Sequence, residues 1–334
     1  METKKLKIGI TQGDINGIGY EIILKTLDDA RILEFCTPIL YGSPKVAAYH
    51  RKNLEITLNL NLITNAAEAN EKRVNIINCN DDEIKVELAR STDEAGKAAY
   101  LALEKATQDL KSGAIDALVT APINKKNIQS DEFTFPGHTE YLEEKFGNKG
   151  EALMLMVNDF MRIAVVTGHI PITKVAQAIT TEKIVEKIHQ LNNALKQDFM
   201  LTKPRIAVLG LNPHAGDDGV IGDEEKTIIL PAIEKALQEG IICVGPLPAD
   251  GFFGASNFHH YDGILAMYHD QGLIPFKALS MDSGVNYTAG LSVVRTSPAH
   301  GTAYDKAGQN LANESSFREA LYLACDIVNN RQRS

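Results

Sequence analysis

Five short aliphatic runs constrain this chain most: Lys7–Thr11, Ala117–Thr120, Arg162–Thr167, Arg205–Leu209 and Gly263–Tyr268. Hydrophobicity along them is continuous rather than alternating, as expected of strands covered on both faces in a parallel sheet. Helical patterns lie between them. Ser91-Thr92-Asp93-Glu94 has the form of a capping box, with Ser91 taking an orphan amide and Glu94 reaching back. A helix follows to about Lys111 and stops at Gly113, and Glu182–Leu195 and Glu224–Glu239 read as further amphipathic helices. Strand and helix alternate, so the class is α/β.

The length of 334 residues suits two domains, each large enough to bury a core. A net charge of −9 without a long basic run argues against nucleic acid as a partner. No apolar stretch approaches the ~20 residues of a membrane-spanning helix, and the start, METKKLKIGITQGD, lacks the apolar core of a signal peptide. A cytoplasmic protein is expected. Cys36, Cys79, Cys243 and Cys325 are scattered with no CxxC pair, which points to buried reduced thiols.

Three of the aliphatic runs lead into a histidine. RIAVVTGH ends in His169, RIAVLGLNPH in His214 and GILAMYH in His269. Ligands of open α/β sheets bind outside the carboxyl ends of the strands. One histidine so placed is most simply a hydrogen-bonded structural residue, but three repeats of the placement suggest a divalent-metal site. Neutral imidazoles suit several ions and leave coordination positions open. Asp270, beside His269, is a candidate for orienting something nearby.

Other segments offer anion-binding groups. The turn Thr11–Gly19 is glycine-rich but lacks the GxGxxG order of a Rossmann fingerprint, so a tight turn before a helix is the plainer reading. His138 and Thr139 present an imidazole and a hydroxyl on an expected loop. Lys277, Asn286 and Arg295 follow the third histidine, and the two cations suit phosphate or carboxylate. Gly301 and Gly308 bracket a loop whose backbone could wrap a flat or phosphorylated ligand.

Taken together, GITQGDINGIGYE, LVTAPINK, FPGHTEYL, VVTGHIP, GLNPHAGDDGVIGDEE, GPLPADGFF, MYHDQGLIPFK and RTSPAHGTAYDKAG resemble the 4-hydroxythreonine-4-phosphate dehydrogenases of vitamin B6 biosynthesis, over nearly the whole chain. The resemblance implies an isocitrate/isopropylmalate dehydrogenase-like α/β fold of two domains with an interdomain active-site cleft. The first domain takes residues 1–125 and 290–334, and the second takes 126–289. It implies His169, His214 and His269 as ligands of a zinc, magnesium or cobalt ion, and His138, Thr139, Lys277, Asn286 and Arg295 as substrate-binding residues. Asp250 and Lys277 become candidate catalytic residues, and a homodimer would contribute metal ligands from both subunits. HGTAYDKAGQNLAN also resembles the cofactor loop of isopropylmalate and isocitrate dehydrogenases. That makes His300, Gly301, Thr302, Ala303, Asp305 and Asn313 candidates for binding NAD or NADP.

The implied reaction is oxidation of 4-phosphooxy-L-threonine at its C3 hydroxyl, followed by decarboxylation of the β-keto acid. Three rivals stand beside it: a dehydrogenase of erythronate or threonate 4-phosphate, a zinc hydrolase, and a phosphate acyltransferase of similar fold.

Overall fold

The computed structural model of the chain describes residues 5–80, 84–147, 150, 152–280 and 282–333. It divides into two compact units, one of residues 1–149 and 291–329, the other of 150–290 and 330–334. The first break lies beyond the expected position near 125. The intervening segment carries the helix His138–Phe146 and packs on the first unit: the Tyr141 hydroxyl bonds Glu104 and Phe133 lies 6.0 Å from Tyr100, ring to ring.

In the first unit the strands are β1 (Leu6–Thr11), β2 (Cys36–Gly42), β3 (Leu60–Ile63), β4 (Val74–Asn78) and β5 (Ala117–Thr120). The second unit holds β6 (Leu153–Val157), β7 (Arg162–Thr167), β8 (Arg205–Leu209), β9 (Ile242–Leu247), β10 (Gly263–Tyr268) and β11 (Val285–Ala289), and β12 (Val294–Pro298) returns to the first.

The order in the first unit is β3-β4-β2-β1-β5-β12, and every pairing is parallel. All seven residues of β2 and all four of β5 are buried, which is the two-sided cover that continuous hydrophobicity requires. The second unit runs β11-β6-β7-β10-β8-β9. Its β7, β10, β8 and β9 are parallel, whereas β6 pairs antiparallel with both β7 and β11.

Four of the five aliphatic runs coincide with strands and the fifth begins one residue early, at Leu6. The helix Thr181–Gln197 buries Ile184, Val185, Ile188, Leu191 and Leu195, a three-and-four spacing that puts one face on the core. Two expectations need correction. The cap of the helix Asp93–Lys111 is Thr92, whose side chain accepts from the Ala95 amide. Ser91 instead accepts from Asn124 Nδ2, and Glu94 accepts from the Lys85 amide. The segment expected as one helix over Glu224–Glu239 opens as a π-turn, Glu225–Ile229, before the α-helix Leu230–Gln238. Pro231 has no amide to donate back to the preceding turn, so the regular ladder is interrupted there.

The loop after β8 has an unusual backbone. His214, Ala215, Gly216, Asp217 and Asp218 all have positive φ, between 43° and 83°. Each non-glycine residue there costs roughly 1–2 kcal/mol, so neighbouring groups must hold the turn. Glu225 does so: its carboxylate accepts from the Leu211 and Asn212 amides at 2.7 Å each, and from Asn212 Nδ2. Burial raises the Glu225 pKa and these hydrogen bonds lower it, with a net downward shift. No helix of the described residues is long and apolar enough to cross a membrane. The four cysteines are all unpaired thiols, three of them buried.

Two stability predictions follow from these packings. At Gly216, with φ of 83°, a Cβ would stand 2.6 Å from Glu225 Oε2 and 2.9 Å from the Gly222 carbonyl oxygen. Gly216→Ala should therefore cost about 2–4 kcal/mol in denaturant unfolding; a variant as stable as the wild type would show that the turn is not held this way. His50 is buried against Tyr20, donates from Nε2 to the Ile15 carbonyl, and has its pKa pushed down by burial to about 4. The unfolded imidazole takes up its proton near pH ~6.5, so its contribution to stability is lost as pH falls from there toward about 4. His50→Gln should flatten the stability–pH curve in that window, and an unchanged slope would refute the assignment.

Candidate functional site

In the second unit, β7 and β10 pair in parallel with Thr167 opposite Tyr268, and Thr167 Oγ1 donates to the Met267 carbonyl. The residues just beyond these aligned ends are therefore brought side by side. The His169 and His269 rings lie 5.4 Å apart, centre to centre. Both line a cavity of about 300 Å³ with Gly168, Ile170, Tyr268 and Asp270. His269 Nδ1 is 2.7 Å from Asp270 Oδ1, which leaves Nε2 open to another partner; a carboxylate on the second ring nitrogen is an arrangement that suits a metal-binding histidine.

The third histidine behaves differently. His214 is exposed on the left-handed turn after β8. Among the described residues of one chain, no three His, Cys, Asp or Glu side chains cluster as an ion's ligands. Two imidazoles thus fit a divalent ion together, and His214 is not gathered with them within one chain.

The remaining candidates in this unit sit on defined elements. Asp250 is exposed in the first turn of the helix Ala249–Gly254, and Lys277 is exposed in the last turn of the helix His269–Leu279. Asn286 lies on β11 opposite Met156, and its Oδ1 is buried without a hydrogen-bond partner.

The first unit carries the other substrate candidates. His138 and Thr139 open the helix His138–Phe146 rather than sitting on a loop, and Gly137 before them supplies no side-chain cap. Arg295, on β12, is only 3% exposed and donates from Nε and Nη2 to Thr120 Oγ1. Burial lowers its pKa to about 10, opposed by the Glu140 carboxylate, so it stays cationic at neutral pH. His138 Nε2 is buried with no partner. Burial, reinforced by the charges of Arg295 and Lys125, holds the His138 pKa well below the usual imidazole range. A neutral ring beside a guanidinium is a donor set suited to an anion.

The expected cofactor loop is anchored from below. Ile18 N donates to the Thr302 carbonyl, and the Tyr304 hydroxyl donates to Asp14 Oδ2 at 2.7 Å. Ala303 takes a positive φ of 41°. No atom stands within 4 Å of a Cβ placed on Gly301, and His300 Nε2 is buried without a partner. Burial lowers the His300 pKa, so that ring too is neutral at physiological pH. An open backbone next to an unsatisfied ring nitrogen fits a planar, hydrogen-bonding ligand. Asn313 Oδ1 accepts from the Ser315 amide at the start of the helix Ser315–Arg333, a capping role. Asp305 is exposed.

Sequence reasoning missed the residues that fix these loops. The glycine-rich turn after β1 is built around buried Gln12, Asp14 and Asn16. Asp14 accepts from the Asn16 amide, from Asn127 Nδ2 and from Tyr304. Asn127 closes a turn in which Asn124 Oδ1 accepts from the amides of residues 126 and 127. That turn lies so close to the helix Asp93–Lys111 that a Cβ on Gly96 would be 1.8 Å from the Asn127 carbonyl oxygen. Only a glycine permits the approach.

The chain shares 60% identity over 333 residues with a 4-hydroxythreonine-4-phosphate dehydrogenase from Bacteroides thetaiotaomicron, covering all of this chain and 92% of that protein. It superposes on the crystal structure of 4-hydroxythreonine-4-phosphate dehydrogenase from Klebsiella pneumoniae with a TM-score of 0.83 at 32% identity, covering 98% and 99% of the two chains. An isocitrate dehydrogenase from Methylococcus capsulatus shares the fold alone, with a TM-score of 0.51 at 10% identity over 98% of this chain and 87% of that one. Residues 34–324 match the family described as pyridoxal phosphate biosynthetic protein PdxA, and the chain belongs to that family.

Proposed function

We propose that the chain oxidises 4-phosphooxy-L-threonine at its C3 hydroxyl with NAD or NADP. The β-keto acid formed loses carbon dioxide to leave 3-amino-2-oxopropyl phosphate, in pyridoxal 5'-phosphate biosynthesis. The observation that carries this reading is the 60% identity, end to end, with a dehydrogenase named for that substrate. The residues placed above supply groups the chemistry needs.

In our reading His169 and His269 hold a divalent ion, with His214 as third ligand. A zinc, magnesium or cobalt ion there supplies Lewis acidity at the substrate oxygen, while a nicotinamide held by His300, Gly301, Thr302 and Ala303 supplies the hydride acceptor. The chain does the rest. Arg295 and neutral His138 bind and orient an anionic end of the substrate, with Thr139, Lys277 and Asn286 completing the polar contacts. Asp250 and Lys277 are our candidates for taking the hydroxyl proton. The unpartnered Asn286 Oδ1 and His138 Nε2 support these assignments, because buried polar atoms without a partner are costly unless a ligand satisfies them.

We also read the protein as a homodimer in which His214 completes the partner's site. One feature supports this: His214 is not gathered with the other two imidazoles among the described residues of one chain.

Two experiments test these readings. NADH formation should be fastest with 4-phosphooxy-L-threonine in a panel that includes erythronate and threonate 4-phosphates. Faster turnover of a sugar-acid phosphate would overturn the substrate, and NADH formation that survives chelation would overturn the metal requirement. For the ion, His214→Ala and His269→Ala should each lose bound metal and lower kcat by more than the roughly 10–100-fold typical of an outer-shell partner. Mixing the two inactive variants should restore about a quarter of the sites if the ligands come from both subunits of a symmetric dimer. No recovery in exchanged subunits would place all three histidines in one chain.

A further inference from the structure

We propose that Lys125 is a ligand for the substrate's phosphate, acting with Arg295, His138 and the amino terminus of the helix His138–Phe146. The inference rests on the reading that the substrate is phosphorylated, and it assigns a residue that sequence analysis left out.

Lys125 reaches Gly137, the residue that precedes the helix His138–Phe146. Lys125 Cε lies 3.5 Å and Nζ 4.0 Å from the point a Cβ would occupy on that glycine. The charges of Lys125 and Arg295 both bear on the His138 ring. Arg295 is buried and donates to Thr120 Oγ1, which holds its guanidinium in place within the unit. The His138 ring beside it presents a buried nitrogen with no partner. Because Gly137 offers no capping side chain, the first amides of the helix remain available to an external anion.

The Lys125 backbone is fixed even though its side chain is exposed. The turn that carries it is closed by Asn124 on one side, tied to buried Asp14 through Asn127, and held by Gln129 Nε2 donating to the Lys125 carbonyl. An ammonium on a rigid turn aimed at an uncapped helix end is arranged for binding rather than for solvation alone.

One carboxylate enters the same space. Glu140 Oε2 is 3.5 Å from the Gly137 reference point, and its charge acts on Arg295. Two cations and a helix amino terminus still outweigh one carboxylate. The surplus matches a phosphate, which carries about −1.5 to −2 at neutral pH, better than a carboxylate of −1.

The test is calorimetric binding of inorganic phosphate to the intact enzyme, with acetate as the carboxylate control, alongside KM for the phosphorylated substrate at saturating NAD. Lys125→Ala should weaken phosphate binding and raise that KM by about 10- to 100-fold, the loss expected for a charge-assisted hydrogen bond. It should leave acetate binding and the KM for NAD unchanged. Lys125→Arg should retain most of the affinity, and Glu140→Gln should tighten phosphate. Wild-type phosphate affinity and KM in Lys125→Ala would overturn the proposal, as would a wild-type enzyme that binds no phosphate. If phosphate binds through Lys125 while 4-phosphooxy-L-threonine is not oxidised, the substrate assignment fails and the phosphate site stands.

Discussion

A single buried carboxylate, that of Asp14, organises the ligand-facing loops of the first unit. It is fully buried and accepts three hydrogen bonds from three parts of the chain: its own turn, the turn after β5, and the loop that follows β12. A buried carboxylate is costly unless it is fully satisfied, and here satisfaction requires all three segments to be in place at once. The loop expected to meet the cofactor and the turn that carries Lys125 are thereby fixed to one point. Asn124 reinforces the link by donating to the Tyr304 hydroxyl, which itself donates to Asp14.

The second unit uses the same device for a different purpose. Glu225 is 3% exposed and takes up the Leu211 and Asn212 amides. That anchorage offsets the cost of a left-handed turn five residues long, in which His214 is presented on an exposed backbone arch. Strain of this kind persists only where the surroundings over-determine it, and it gathers at functional sites. His169 and His269 need no such help, because the parallel register of β7 and β10 sets them side by side.

Much of the scaffold was readable along the chain. A buried parallel strand announces itself by continuous hydrophobicity, so β5, β7, β8 and β10 were bounded correctly. The positions of His169, His214 and His269 beyond strand ends were equally visible. Local signals failed where two neighbours could do one job: Ser91 and Thr92 both suit a cap, and only the contact of Ser91 with Asn124 decides between them. Antiparallel β6 and β11 were not distinguishable in kind from their parallel neighbours, because burial on both faces erases the alternation that marks such strands.

By itself the sequence determined the α/β class, the limits of five of the twelve described strands to within a residue, and through its long motifs the family and the residue types that chemistry requires. These are properties of composition and spacing over short stretches. The tertiary structure alone decided which polar residues meet: Asp14 with Tyr304, 290 positions apart, Lys125 with the end of the helix at His138, and His169 with His269. It also separated His214 from the other two imidazoles. The physical reason is that a buried charge or ring nitrogen is specified by whatever satisfies it, and those partners come from distant segments that only the folded sheet brings within hydrogen-bonding reach.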